Sequence, residues 1–459
     1  MRTSKSSERG ALSALGPLLL LASSAAAQGA PTDGRLMAEP IGYTDVADAL
    51  DDGDVWDVNV SFRFERTATG GRIERERAGA RAADARAQNR FVELGEHSLV
   101  RSALQLELEL GLYHDLMAFV GVPVVLDEQR RLEPAAGLGC SQEDCPLLSE
   151  PLGAADGGIA PLFDRGPNTV SATRSGVPSV RFGLAWSPTN QHRGGQGATW
   201  TLRAEGELGT SNPMRACLRN GCDDAGIGSG LDALTLQSRF SYRYRYVAPL
   251  FGISHRMRWI GEAAPNYRPG GVRAGVPDDG PPSTTELTLG AAVIPWEDRG
   301  RYQRLAIDLR AEAALTGPGR DYSPLFDALG SSIHPQLAGP SIDRAPGGPE
   351  PLNASSFTGI TRVGSHARLG LRLGLTMRAA RYVRFGLGVG TSMLTPHLIS
   401  GEPACNRAVG AGANDARAGG CLEGIVNPAY RAVIDAPGSR FRVASELQLD
   451  LVAAAAAQF

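Results

Sequence analysis

The sequence predicts an all-β protein, an antiparallel up-and-down barrel of about twelve strands, and three observations support this. Glycine (57) and proline (30) are abundant among the 459 residues, which suits many strands joined by turns. Apolar side chains recur at every second position, the period of a strand whose two faces differ. The segments between these strands also alternate between short and long, as they do in a barrel whose two rims differ.

The N-terminus has the features of an export signal. Residues 1–27 begin with the basic residues Arg2 and Lys5, continue with a short apolar stretch, and end on Ala25–Ala27 ahead of a predicted cleavage point. Beyond the signal, no apolar run is long enough for a membrane-spanning helix. We therefore expect an exported mature chain.

Residues 28–53 are predicted to be a polar periplasmic leader, and residues 54–459 the barrel. The leader carries several aspartates but does not fit a calcium-binding EF-hand, because Leu50 stands where that loop needs an acidic residue. We expect the leader to be solvated.

Alternation defines the predicted strands, most clearly over Leu104–Leu112, where leucine occupies every second position. The strands are placed near residues 54–65, 99–113, 116–126, 178–187, 198–209, 231–246, 249–260, 284–296, 302–316, 361–377, 380–394 and 439–459. The third strand is interrupted by Pro123, so a ten-stranded count with one misassigned hairpin is the alternative.

Short and long connections alternate along the chain. The short ones are predicted at 114–115, 188–197, 247–248, 297–301 and 378–379. The long ones are predicted at about 66–98, 127–177, 210–230, 261–283, 317–360 and 395–438. An even strand number with tight turns on one rim and long loops on the other is typical of a transmembrane barrel. The alternative, a soluble exported β-sandwich, would be extracted without detergent.

Aromatic residues flank the predicted short turns, where a girdle at one membrane interface is expected. They are Tyr113, Trp186, Trp200, Tyr244, Tyr246, Trp296, Tyr302 and Tyr382.

The final strand keeps apolar residues on one parity from Phe441 to Phe459. Here the sequence resembles the transmembrane β-barrel proteins of Gram-negative outer membranes, whose last strand alternates in this way and ends on an aromatic residue. The resemblance covers 54–459 as a pattern, and it departs from the class in its alanine-rich tail, Ala453–Ala457. It implies an outer-membrane location among lipid and lipopolysaccharide, and insertion by the barrel-assembly machinery with Phe459 as the assembly signal.

The polar parity is then expected to line the lumen. The candidate lumen-lining residues are Arg239, Arg243, Arg245, Arg256, Arg258, Glu205, Glu207, Arg368, Arg372, Arg384, Glu107 and Glu109. The five arginines of the sixth and seventh predicted strands have no carboxylate between them in sequence, so we expect a wet, positive stripe. The alternative is a closed barrel filled with cross-strand ion pairs, and twelve strands permit either.

A wet lumen predicts a pore or transport channel for small solutes that favours anions. The alternative is a plugged structural or adhesive barrel that acts through its long loops. The solute and the oligomeric state are not encoded in these patterns.

All six cysteines fall in predicted long loops, as Cys140 and Cys145, Cys217 and Cys222, and Cys405 and Cys421. In an exported chain an even number of cysteines favours disulfides, although fifteen connectivities exist for six. A metal site is the less favoured alternative, because the spacings do not match zinc knuckles.

An enzyme is not expected, and neither is a cofactor or a metal. Barrel lipid hydrolases use a His-x-Ser pair on one strand, and none of the seven histidines is followed by serine at that spacing. Nucleic-acid binding is disfavoured by the net charge of −3.

Overall fold

The computed structural model describes a barrel together with parts of its connections. The described residues are 41–47, 49, 57–76, 91–134, 169–170, 173–191, 197–217, 225–261, 264–267, 280–298, 300–331, 337, 341–342, 354–355, 357–380, 382–404, 414–415, 420–421, 427 and 429–459. The predicted signal peptide therefore lies outside the described residues.

Twelve long strands build the wall. They are β1 (Val58–Glu76), β2 (Phe91–Tyr113), β3 (Leu116–Pro134), β4 (Ser179–Thr189), β5 (Thr199–Gly209), β6 (Leu231–Ser241), β7 (Val247–Ile260), β8 (Thr284–Asp298), β9 (Gln303–Thr316), β10 (His366–Ala380), β11 (Val383–Leu394) and β12 (Phe441–Gln458). Nine strands of two or three residues lie in the connections, at Thr169–Val170, Arg174–Gly176, Gly319–Asp321, Ser341–Ile342, Ala354–Ser355, Thr361–Val363, His397–Leu398, Asn414–Asp415 and Gly420–Cys421.

Each barrel strand pairs antiparallel with the next one in sequence, and β1 pairs antiparallel with β12. At this seam Asn59 lies opposite Gln458 and Arg75 lies opposite Phe441. The sheet is therefore closed and has no free edge. The predicted closed, twelve-stranded antiparallel barrel is confirmed.

The two faces of the wall differ as the alternation requires. Along β10, Leu369, Leu371 and Leu373 are 47–57% exposed on the outside. Between them, Arg368 and Arg372 form ion pairs on the inside. Large apolar side chains thus cover the outer surface, which suits a hydrocarbon environment better than water.

Aromatic side chains mark the rim where the short connections lie. Tyr113, Trp186, Tyr244 and Trp296 are 42–61% exposed there. We call this end of the barrel the short-turn rim and the opposite end the long-loop rim. Trp200 differs, because it stacks on Phe240 with the ring centroids 5.5 Å apart.

Some strands are longer than predicted at the long-loop rim. β1 extends to Glu76 and β2 begins at Phe91, and the two stay paired along this extension. The side chains there do not alternate simply, since Ile73 and Glu74 are both buried and the ladder shifts register between them. The alternation of apolar and polar side chains locates the part of a strand whose outer face is exposed. It does not locate the continuation of the strand above that part.

Pro123 does not remove the third strand. β3 pairs with β2 along its length, whereas its ladder to β4 ends at Gly121. Pro123 therefore lies just past that ladder, where a missing N–H on that side has no cost. The twelve-strand count is correct and the ten-strand alternative is wrong.

The hairpin between β6 and β7 turns earlier than predicted. β6 ends at Ser241, and Tyr244 and Val247 bond to each other across the turn. Arg245 has a φ of 52° within this turn and its side chain is exposed. The predicted turn at 247–248 is wrong because both residues belong to β7.

Packed loop segments lie at the long-loop rim. Two short helices, α1 (Phe326–Gly330) and α2 (Ala432–Asp435), contribute Leu329 and Ile434 to an apolar cluster with Ile73 of β1. We call α1, α2 and the segments packed with them the loop cap. Among the described residues, no helix is long and apolar enough to cross a bilayer.

Candidate functional site: the barrel lumen

The inner wall at mid-height carries ion pairs within strands and between strands. Arg63–Glu65, Arg203–Glu205 and Arg310–Asp308 each lie on one strand, Arg372–Glu312 joins neighbouring strands, and Arg181–Glu107 and Arg368–Glu286 reach across one intervening strand. The Glu109 carboxylate accepts a hydrogen bond from the Asn59 amide at 3.1 Å. Most of these inward charges therefore have a partner nearby, as charges away from bulk water require.

The five arginines predicted to form an unneutralised stripe do not form one. Arg256 pairs with Glu207 of β5 at 2.5 Å, and Arg258 pairs with Asp321 at 2.7 Å. Glu207 lies on β5, a predicted strand next to β6, whereas Asp321 lies in a long connection that the strand pattern does not place.

Arg243 and Arg245 lie at the short-turn rim and not along the wall. Arg243 is buried and its guanidinium forms a 2.6 Å ion pair with Glu297 at the end of β8. Arg245 lies in the exposed turn beside the Tyr244 ring. The prediction that both line the lumen is wrong for Arg245, because the earlier turn carries it out of the strand.

Arg239 is the lumen-facing member of the stripe that forms no ion pair among the described residues. Its guanidinium donates to the Gln237 amide oxygen and, at 3.3 Å, to the backbone carbonyl of Tyr43. Neither acceptor is a carboxylate. Arg239 lies on the inner face of β6, since Leu236 on the opposite parity is exposed outside.

Part of the leader lies inside the barrel. Within residues 41–47, Ile41, Thr44 and Ala47 are at most 6% exposed. Thr44 bonds through its hydroxyl to Ser241 at 2.6 Å, and Asp45 pairs with Arg384 of β11 at 3.0 Å. The expectation of a solvated leader is wrong for this segment, because its apolar and polar groups both find partners on the inner wall. We call residues 41–47 the lumen strap.

The lumen strap crosses from one side of the wall to the other. Ile41 packs against Leu250 of β7 and Ile294 of β8. Ala47 packs against Met117 of β3 and the neighbouring inner face of β4. These strands are far apart in the barrel order, so the strap lies across the lumen. Ala49 then bonds to His114 at the short-turn rim, which places the strap near that end.

The loop cap lies at the opposite end and is held by buried charges. Arg174 forms a 2.5 Å ion pair with Asp327 of α1, with the two side chains 0% and 6% exposed. Arg320 lies 3.5 Å from Glu402. Asp435 of α2 accepts hydrogen bonds from the backbone amides of Gly401, Glu402 and Arg431.

Burial raises the pKa of Asp435 to about 7, and the nearby Glu402 carboxylate acts in the same direction. The group lies in the loop cap, outside the strands that cross the membrane height. It is therefore a carboxyl group that titrates near neutral pH.

No assembled catalytic site is found in the described part of the chain. His366 and His397 stack with their ring centroids 4.1 Å apart, and each Nδ1 bonds to a backbone carbonyl. His255 bonds to Thr285 and not to Ser254. Among the described side chains, no three His, Cys, Asp or Glu residues are placed to hold a metal ion.

The predicted disulfides fall mostly outside the described residues, at Cys140, Cys145, Cys222 and Cys405. Cys217 is described and 3% exposed, and its backbone amide donates to Asp327. Cys421 is described through its backbone pairing with Asn414. The pairing of the six cysteines stays a prediction.

The sequence reasoning missed the groups that matter most in the lumen. Tyr43 and Asp45 belong to a leader that looks hydrophilic, and Glu297 was assigned to a turn. A signal was present for the strap, because Ile41, Tyr43 and Val46 are apolar or aromatic within an otherwise acidic segment.

Comparisons with known proteins give distant structural likenesses. No family model matches the chain, and no curated protein matches it. A solved COG4313 outer membrane channel from Pseudomonas putida F1 is 10% identical, with 92% of this chain and 99% of that chain covered and a TM-score of 0.39. The outer membrane protease OmpT from Escherichia coli is 6% identical over 88% and 96%, with a TM-score of 0.28.

The outer membrane channel DcaP of Acinetobacter baumannii is 8% identical over 90% of this chain and 100% of that chain, with a TM-score of 0.23. The closed strand register establishes the fold independently of these likenesses. The chain is a closed twelve-stranded antiparallel β-barrel, and the solved structures to which it is similar include outer-membrane barrels.

Proposed function

We propose that this chain is an outer-membrane channel for small solutes, exported through a signal peptide at 1–27 and inserted with its short-turn rim in the periplasm. The observation that carries the proposal is the contrast between the two wall faces. Leucines cover the outside while paired charges line the inside. A wall with charged inner and apolar outer faces suits a barrel in lipid around a polar path.

The barrier in this path supports a channel over a solid plug. The lumen strap is a chain segment and not a filling of wall side chains. Its polar contacts with the wall include the Thr44–Ser241 hydroxyl pair, hydrogen bonds from Thr201 and Arg239 to strap carbonyls, and the Asp45–Arg384 ion pair, which is 22–25% exposed. Such a segment can leave without unfolding the wall. Passage then requires displacement of the strap.

Anion preference belongs to the same proposal but rests on fewer residues than the sequence predicted. Arg239 forms no ion pair among the described residues and lies beside the strap. A single inward guanidinium without an ion-pair partner favours anions modestly.

The test is a planar-bilayer recording of the refolded mature chain across a potassium chloride gradient. We expect brief current steps whose reversal potential is shifted toward the equilibrium potential of chloride. In Arg239→Ala this shift should be lost. Arg301→Ala is the matched control, because that side chain is 78% exposed in a turn at the short-turn rim. Folded, inserted protein that never conducts, even without its leader, would contradict the channel.

The C-terminal residue supports outer-membrane assembly. Phe459 is 67% exposed, and its backbone exchanges two hydrogen bonds with Val58 at the closing seam. We propose that the barrel-assembly machinery reads this residue before the seam closes. Phe459→Ala should then lower the folded amount in the outer membrane, while refolding of the purified chain in detergent stays unchanged.

A plugged structural or adhesive barrel is the second candidate, favoured by the loop cap. In that function the cysteines would staple the long loops, with Cys217–Cys222 and Cys140–Cys145 as the local pairs. Its distinguishing result is an absence of current from both the full mature chain and the chain without its leader. A lipid hydrolase is a weaker candidate. The test is whether the purified protein releases fatty acid from phospholipid.

A further inference from the structure

Tyr43 of the lumen strap occupies a shaped recess in the inner wall. Its ring centroid lies 5.2 Å from the guanidinium carbon of Arg239 and 4.9 Å from that of Arg310. These arginines come from β6 and β9, so two cations from different strands contact one ring. Both distances fall within the range of about 6 Å over which a guanidinium is attracted to an aromatic face.

The floor of the recess is a glycine. In the strand register Gly252 of β7 lies between Arg239 of β6 and Thr288 of β8. A Cβ atom built on Gly252 would overlap the Tyr43 hydroxyl. Because Gly252 has no side chain, the wall leaves space at this position for the hydroxyl end of an aromatic ring. We call Arg239, Gly252, Thr288 and Arg310 the aromatic socket.

The socket also holds an oxygen. Arg239 donates from Nη1 to the backbone carbonyl of Tyr43 at 3.3 Å. A neutral carbonyl is a weak partner for a guanidinium, which binds a carboxylate more strongly and in a bidentate manner. Arg310, in contrast, already has a carboxylate partner in Asp308 at 2.6 Å. Arg239 is therefore the residue of the socket that is able to bind a further carboxylate.

We propose that the aromatic socket is a solute-binding site which Tyr43 occupies in the closed state, and that its solute is an aromatic carboxylate of the 3-arylpropionate type. The inference rests on the proposed channel function and adds its substrate class. In Tyr43, Cβ and Cα separate the ring from the carbonyl carbon. A 3-arylpropionate has the same two-carbon spacing, so its ring and carboxylate replace the Tyr43 ring and carbonyl together.

Solute and strap compete for one site. Binding of the solute requires that Tyr43 leave the socket, and a displaced strap no longer crosses the lumen. A ligand that binds only the displaced state shifts the population toward that state. The solute therefore favours the opening of its own path.

The experiment measures binding of 3-(4-hydroxyphenyl)propionate to the refolded mature chain in detergent by titration calorimetry. We expect Tyr43→Ala to bind this probe at least about tenfold more tightly than the unaltered chain, because a tethered competitor acts at an effective concentration in the millimolar range. Adding Arg239→Ala to that variant should weaken binding about tenfold or more, since the charged partner of the carboxylate is lost.

Two controls isolate the socket. The ligand 3-cyclohexylpropionate keeps the carboxylate and a six-membered ring but has no aromatic face, and we expect it to bind at least about fivefold more weakly. Arg256→Ala in the Tyr43→Ala chain removes another inward arginine, one that is paired with Glu207, and should leave probe affinity unchanged. Circular dichroism of each variant confirms the barrel before titration.

Equal probe affinities for Tyr43→Ala and the unaltered chain would overturn the proposal, as would equal affinities for the aromatic and cyclohexyl ligands. Chloride current recorded from Tyr43→Ala without any probe tests the channel separately. A chain that conducts chloride but does not bind the probe overturns the socket alone. A chain that binds the probe but never conducts supports the socket and overturns the channel.

Discussion

The two ends of the barrel carry different kinds of structure. At the long-loop rim the cap has an apolar interior, with Leu329 and Ile434 1% exposed, and an Arg174–Asp327 pair that is almost fully buried. At the short-turn rim, the lumen strap is a single chain segment whose ion pair is about a quarter exposed. The cap resembles a small domain core, whereas the strap resembles a bound peptide.

This difference indicates that the lumen strap is displaced more easily than the loop cap. Opening the cap would expose buried apolar area and separate buried charges, both of which are costly. Releasing the strap exposes a few apolar side chains, among them Ile41 and Ala47, and exchanges its hydrogen bonds and one ion pair with the wall for contacts with water. In the proposed channel, passage is therefore controlled at the short-turn rim.

The largest expected effect follows from removing the strap. A mature chain without residues 28–49 should give a mean current about tenfold or more above that of the full mature chain, because a closed-state occupant is lost. Single-channel recording at matched protein density measures this. Removal of residues 28–40 alone is the control, and it should leave the current near that of the full chain.

The cap should respond through stability. Arg174→Met leaves the buried Asp327 carboxylate without its partner, and we expect the free energy of unfolding to fall by about 3–5 kcal/mol. Thermal or urea unfolding of the refolded barrel measures the change. Arg174→Met combined with Asp327→Leu should recover most of the loss, and a double variant as unstable as the single one would contradict the ion-pair argument.

A smaller effect is expected from the strap's ion pair. Asp45→Asn keeps the side-chain shape and weakens the contact with Arg384, a partly exposed pair worth about 0.5–1 kcal/mol. The open probability should rise by up to about fivefold in single-channel records. Asp298→Asn, which removes the exposed pair with Arg301, is the matched control and should leave gating unchanged.

The smallest effect is a pH dependence of the cap. Because the pKa of Asp435 is raised to about 7 from its usual 3.8, the folded cap binds a proton more tightly than the unfolded segment does. Its contribution is full below about pH 4 and is lost as the pH rises toward 7. Hydrogen exchange of the Gly401 and Glu402 amides, corrected for intrinsic rates, should show protection falling from pH 5 to pH 8. In Asp435→Asn this trend should be absent.

How far the sequence predicts the structure depends on the region. Alternation located β12 to within two residues at each end, because leucines such as Leu447 and Leu449 face outward without interruption. It placed the start of β10 near residue 361 although the strand begins at His366, and the turn that it predicted at 378–379 is wrong because both residues belong to β10. It did not locate the upper parts of β1 and β2, where both faces are covered by protein. There the consecutive residues Ile73 and Glu74 are both buried, so the two-residue alternation between a polar and an apolar face no longer holds.

The lumen could be predicted only in part. Strand parity correctly separates inward from outward residues, but the partners of Arg256 and Arg258 come from β5 and from the Gly319–Asp321 segment, which only the folded register brings near. The place of Tyr43 depends on a chain reversal into the barrel, and no local pattern encodes such a reversal. Long-range pairing is therefore what the sequence alone leaves open.

The claim that passage requires displacement of the lumen strap is tested most directly by a disulfide that fixes the strap to the wall. Thr44 and Ser241 hold their hydroxyl oxygens 2.6 Å apart, so Thr44→Cys with Ser241→Cys places two thiols where a disulfide can form. Recording the same preparation oxidised and then reduced, with the unaltered chain under the same reductant as control, compares locked and free straps. The account predicts a silent oxidised channel that opens after reduction. Equal currents in both states would contradict it.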